Sequence, residues 1–175
     1  IYVSHIHPDH LSEETFRKLP CKKPVLIQKY DSQFVKRKLE MLGYEVIECD
    51  HGKPFTFKNG GTLTIYAADN CDPELCSKFL GCGLVEEKFE GTQIDTIALF
   101  SHDGQHILNT NDCPYELASK TIKSNKIDNL NINLLLVGYA GAGPYPQCFH
   151  FDNLHEKHRA ATEKEKQFLG QSLQY

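Results

Sequence analysis

Residues 4–10 read Ser4-His5-Ile6-His7-Pro8-Asp9-His10, an HxHxDH pattern directly behind the apolar pair Tyr2-Val3. No other feature constrains the chain as strongly. His5 and His7 are two positions apart, so an extended backbone points both rings to one side. A turn after them can face Asp9 and His10 back. Three imidazoles and a carboxylate in so short a stretch are a concentrated set of metal ligands. Gathered without an ion, they would crowd several positive charges together in mild acid. The alternative is a surface loop of unrelated polar residues. A lone histidine would favour that alternative; this set, following a buried strand, does not.

The rest of the composition sets bounds. A length of 175 residues suits one domain, read here as a single unit over 1–175. With 40% hydrophobic and 24% charged residues the chain is globular in character. No apolar run approaches the roughly 20 residues of a membrane span, so no membrane partner is expected. A net charge of −4 argues against a nucleic-acid partner. Seven cysteines, an odd number, with no secretory signal point to reduced thiols and a cytoplasmic protein. Cys71, Cys76 and Cys82 are spaced too widely for a zinc knuckle. The chain opens on what reads as a strand end and closes on Gln171–Tyr175 without a helix stop signal. It therefore reads as a fragment of a longer parent.

Apolar and amphipathic stretches alternate. Tyr2-Val3 reads as a strand, and Ser12 caps a helix carried by Thr15 to Leu19. Pro24 to Gln28 reads as a buried strand, Ser32 to Leu42 as a helix closed by Gly43, and Glu45 to Cys49 as a strand. Phe55–Phe57 and Leu63–Tyr66 flank Asn59-Gly60-Gly61, a hairpin signal; Ile94–Phe100 and His106–Leu108 flank Asp103-Gly104, a second one. Pro114 to Lys123 suits a helix with proline at its first position. Ile132 to Val137 is a continuous apolar run, as in a strand buried on both faces. Gly138 to Pro146 is a Gly/Pro-rich loop, and His155 to Leu173 a charged helix. The layout predicts an α/β layered architecture.

The HxHxDH segment resembles the signature of the metallo-β-lactamase-fold superfamily. "DGQHILNTNDC" (Asp103 to Cys113) and "GYAGAGPYPQCF" (Gly138 to Phe149) further resemble the catalytic domain of the CMP-N-acetylneuraminic acid hydroxylases and their bacterial relatives, in the same order over roughly residues 1–170. The resemblance implies a metallo-β-lactamase-like αββα sandwich, incomplete at both ends. It implies zinc or iron, one or two ions, with His5 and His7 on the first and Asp9 and His10 on the second. It also implies a later bridging carboxylate, and Asp112 fits that place. Asp112 also suits a helix N-cap before Pro114; the ligand reading is preferred because the first motif demands such a residue. Where the family has His-Pro-Glu, this chain has Asp72-Pro73-Glu74, so Asp72 stands as a substitute ligand or as an N-cap, with Cys71 a lesser stand-in. The family's last histidine ligand would lie beyond Tyr175.

The resemblance implies a metal-dependent enzyme using a metal-bound water or oxygen species on a small anionic substrate of the nucleotide-sugar kind. Asp9 and His10 are then the catalytic pair. Gly141, Gly143 and Tyr145 would contact substrate, unless their loop is only a tight turn. A hydroxylase of this kind also needs a Rieske-type electron donor, and its paired Cys-x-His and Cys-x-x-His pattern does not occur in this chain, so the donor would sit elsewhere in the parent. A hydrolase of an ester, amide or phosphodiester is the alternative, and a non-catalytic fragment with an incomplete metal site the further one. His51, His102 and His106 read as surface loop residues, His150, His155 and His158 as polar residues flanking a helix, and Lys36-Arg37-Lys38 as a solvated helix face.

Overall fold

The computed structural model describes residues 1–30, 33–67, 95–113, 115–138, 146 and 148–175, with the side chains of Leu117 and Gln171 excepted. The expectations for Ser32, Cys71, Asp72, Cys76, Cys82, Ile94, Pro114, Gly141, Gly143 and Tyr145 lie outside the described residues.

Seven strands and four helices run in the order α1 (Glu13–Lys18), β1 (Val25–Gln28), α2 (Phe34–Met41), β2 (Val46–Cys49), β3 (Pro54–Thr56), β4 (Thr62–Ala67), β5 (Thr96–His102), β6 (Gln105–Asn111), α3 (Tyr115–Ser124), β7 (Leu134–Val137) and α4 (Leu154–Ser172) among the described residues. Ser12 caps α1 as its sequence promised, its hydroxyl accepting from the Thr15 N–H at 3.2 Å. α2 ends in a Schellman turn. Gly43 N–H reaches Glu40 O and Tyr44 N–H reaches Leu39 O, with Gly43 at φ +79°. That left-handed backbone is why a glycine stands there.

β1 and β2 pair in parallel, and Tyr2 adds an isolated parallel bridge to Leu26 on the other side of β1. The first segment is thus one bridge long. The second sheet has the order β3-β4-β5-β6-β7, antiparallel throughout except for β6 and β7.

Alternation along the strands builds the layers. On β1, Val25 and Ile27 face α1 and α2, where they join Phe16, Leu39 and Tyr44. Leu26 faces the other way, against Leu63, Ile65 and Ala98 of the five-stranded sheet. On that sheet's outer face Tyr66, Ile97, Leu99 and Leu108 pack under Ala118 and Ile122 of α3. Helices, sheet, sheet and helix follow one another, so the described chain is an αββα sandwich.

One expectation fails here. β7 is not buried on both faces: Leu134 and Leu136 are 48% and 44% exposed. β7 is the edge of its sheet among the described residues, so its apolar run covers only one side. Two smaller corrections concern charge and position. His106 lies within β6, bonded to Ser101 Oγ at 2.8 Å, rather than in a loop. Lys36 and Lys38 are not simply solvated, because they pair with Glu48 at 2.7 Å and Glu13 at 3.6 Å. Cys21, Cys49 and Cys148 are free thiols. No helix among the described residues is long and apolar enough to cross a membrane.

Leu39 is fully buried and Met41 is 87% exposed on the same helix. Leu39→Ala is expected to cost about 2–5 kcal/mol of unfolding free energy, and Met41→Ala less than about 0.5 kcal/mol; urea titration distinguishes them.

Candidate metal centre

The HxHxDH segment is held from both ends. Val3 N–H donates to Leu26 O at 3.2 Å, and Leu11 is fully buried among the residues under α1 and α2. Between these anchors the chain turns, with His10 and Leu11 N–H groups both donating to His7 O at 3.0 and 2.8 Å. That turn carries His10 back over the strand end. Its ring lies 4.2 Å from that of His5, centroid to centroid.

A second set of bonds ties this end to the five-stranded sheet. Thr96 Oγ1 donates to Ser4 O at 2.9 Å and lies 2.5 Å from the Tyr2 hydroxyl. Asn111, at φ +51°, donates from Nδ2 to both Tyr2 Oη and Thr96 O. Just before it, the β6–β7 register slips between Asn109 and Asn111. Such a bulge re-aims the chain. Asp112, the next residue, turns its Oδ2 to His10 Nε2 at 3.0 Å. Gly138 packs against this corner so closely that a Cβ would lie 2.9 Å from Asn111 O.

The structure therefore brings together His5, His10 and Asp112, one ligand atom from each lying within 4.8 Å of the others. His7 adjoins them, its Nδ1 2.8 Å from His5 Nε2. Asp9 stands at the rim, 58% exposed, with Oδ2 3.5 Å from His10 Nε2. For Asp112, the bond to His10 places the carboxylate in the cluster.

The electrostatics follow from burial. His5 is held far below its ordinary value, to about 3, first by desolvation and then by the neighbouring His10 and His7. It is therefore neutral at physiological pH, the state in which imidazole binds a metal. Asp95 was not singled out from the sequence, yet it belongs here. Its carboxyl is pushed up to about 6 by burial and by the charge of Asp112, against the pull of His7 and His10. Oδ1 is buried without a hydrogen-bond partner among the described residues, 3.7 Å from His5 Nδ1. Its signal in the sequence was an ionisable residue abutting the apolar run Thr96–Phe100, where burial costs most. Ser4, Tyr2, Thr96 and Asn111 were also passed over, since bonds between distant strands leave no local pattern.

No known family profile matches this chain, and neither does any curated protein. Among solved structures, the chain is similar to a mutant of CmlA beta-hydroxylase, with a TM-score of 0.59 and 15% identity over 91% of this chain. The chain spans only 30% of the length of that protein. The likeness shows the metallo-β-lactamase fold. It lends no support to the closer resemblance to CMP-N-acetylneuraminic acid hydroxylases.

The Asp95 shift has a signed consequence. Below about pH 6 the folded carboxyl holds a proton that the unfolded one releases down to its ordinary 3.8. Stability is therefore lost through this group as pH rises across that window. Asp95→Asn removes the charge, so in the metal-free protein the variant should gain on wild type between pH 4 and above 6, by at most about 3 kcal/mol for a shift from 3.8 to about 6. Urea titrations at a series of pH values read this difference; a constant offset contradicts it.

Proposed function

We propose that the chain is the ligand-bearing part of a metal-dependent enzyme of the metallo-β-lactamase fold, acting on a small anionic substrate. The observation that carries this is the convergence of His10 and Asp112, 102 positions apart, beside a buried neutral His5. The residues suit a metal ion on chemical grounds. Among the described residues the donors are imidazole nitrogens and carboxylate oxygens, a set that serves zinc or iron. Asp95 Oδ1 adds a buried carboxylate oxygen that has no hydrogen-bond partner among the described residues.

In this reading His5 and His7 would hold a first ion, Asp9 and His10 a second, and Asp112 would serve as the further carboxylate ligand. Asp72 is a further candidate ligand. A bound ion supplies Lewis acidity and, if it is iron, redox capacity. Asp9 and His10 are the catalytic pair. Asp9, exposed at the rim, is placed to hold or take up a proton beside His10 Nε2. Gly141, Gly143 and Tyr145 are proposed to contact the substrate, with a nucleotide-sugar as the finer suggestion.

The reaction favoured is hydroxylation. The sequence resemblance and the name of the structural neighbour both point that way. It requires electrons, for which a Rieske-type donor elsewhere in the parent is proposed. Hydrolysis of an ester, amide or phosphodiester is the second reading, favoured by the exposed carboxylate of Asp9. A cytoplasmic location completes the proposal.

Loading with zinc or ferrous iron followed by elemental analysis tests the reading. One or two equivalents are expected. His7→Ala and Asp112→Asn should weaken retention more than about 100-fold, beyond the range typical of outer-sphere changes. A protein that takes up neither metal under any loading condition is a non-catalytic chain of this fold.

A further inference from the structure

The residue just before the histidine motif sits between two of its rings. Ser4 is buried, and its Oγ lies 3.0 Å from His5 Nδ1 and 3.3 Å from His10 Nδ1. With both Nδ1 atoms on one hydroxyl, both Nε2 atoms face away from it. His5 Nε2 meets His7 Nδ1 at 2.8 Å, and His10 Nε2 meets Asp112 Oδ2 at 3.0 Å.

A hydroxyl has two lone pairs and one proton, and a neutral imidazole has one N–H. Only two arrangements satisfy both contacts with neutral rings when His5 donates. In the first, His5 Nδ1–H donates to Ser4 Oγ, and Ser4 O–H donates to His10 Nδ1. His10 then carries its proton on Nε2 and gives it to Asp112. In the second, both Nδ1–H groups donate to Ser4 Oγ, which uses both lone pairs. Both Nε2 atoms are then bare. The serine proton then points away from both rings.

We propose that Ser4 is a positioning residue whose hydroxyl accepts from Nδ1 of both His5 and His10, leaving both Nε2 lone pairs free for metal binding. The proposal rests on the metal-binding reading above. It explains why a buried hydroxyl is spent between two rings. A metal ligand needs its other ring nitrogen engaged to fix tautomer and orientation, and here one side chain does this for two ligands. It also assigns the atoms: Nε2 from His5, Nδ1 from His7 and Nε2 from His10. His10 passes from the first arrangement to the second when its one proton is exchanged through solvent from Nε2 to Nδ1 and the Ser4 hydroxyl turns its own proton away, so the ring stays neutral and in place.

The test compares wild type, Ser4→Ala and Ser4→Thr. Zinc affinity is measured by competition with a chromophoric chelator, ring-nitrogen protonation by long-range 1H–15N NMR of the zinc-loaded protein, and folding by thermal melts. In loaded wild type, His5 and His10 should both be protonated on Nδ1. Ser4→Ala should bind zinc about 10–100-fold more weakly and lose this pattern, while Ser4→Thr, which keeps the hydroxyl, should restore both. Wild-type affinity and an unchanged pattern in Ser4→Ala overturn the role of the serine and leave the metal reading intact. Absence of zinc binding by wild type overturns both. If Ser4→Ala does not fold, loaded wild type decides, because an Nε2 proton on either ring overturns the proposal.

Discussion

The side chain and carbonyl of Thr96 join the two halves of the sandwich at the site. This residue is wholly buried at the start of β5. Its hydroxyl serves Ser4 O and the Tyr2 hydroxyl, and its carbonyl accepts from Asn111. The partners belong to two segments: Ser4 and Tyr2 to the strand end that carries the histidines, and Asn111 to the end of β6 that carries Asp112. A buried polar network of this kind is worth having only when every member is satisfied. Here Thr96, Ser4, Tyr2 and Asn111 satisfy one another, and the geometry of the cluster is a consequence. Apolar packing between Leu26 and Ile65 brings the sheets together, but it is non-directional. The hydrogen bonds set where His10 and Asp112 meet.

Delivery of Asp112 depends on irregular backbone. A regular β6 would continue its alternation past Asn111. The register slip before Asn111, the left-handed φ of Asn111 and the close approach of Gly138 together turn the chain. Asparagine tolerates that conformation better than most residues because its short amide bonds locally. Here the amide also bonds to Tyr2 and Thr96. One side chain therefore relieves the cost of its own backbone and links the two ligand-bearing segments.

Much of this was legible in the sequence, and the limit is physical. Local signals carried the elements: Ser12 before α1, Gly43 after α2, and the turn residues of both hairpins. The αββα order followed from them and from the motif. The HxHxDH cluster stood out because its side chains lie close along the chain. Asp95 did not, because its importance comes from burial and from facing residues 85 to 90 positions away. The run Ile132–Val137 misled for the same reason. Apolar continuity reports the residues present and not the layer that covers them, and β7 lies at a sheet edge with Leu134 and Leu136 exposed.

The charge balance of the cluster runs against stability. Burial lowers the His5 imidazole and raises the Asp95 carboxyl, so the site holds two ionisable groups whose charged forms are disfavoured. Replacing such groups by apolar ones of similar size is often neutral or favourable in a core. A fold seeking only stability would have filled this space with leucine, as it did at Leu11 a few residues on. The chain instead surrounds a buried imidazole with two more rings and three carboxylates, and turns its unsatisfied oxygen inward. A cation answers both deficits together: it accepts the lone pairs of neutral imidazoles and compensates the buried carboxylate of Asp95, whose Oδ1 has no hydrogen-bond partner among the described residues.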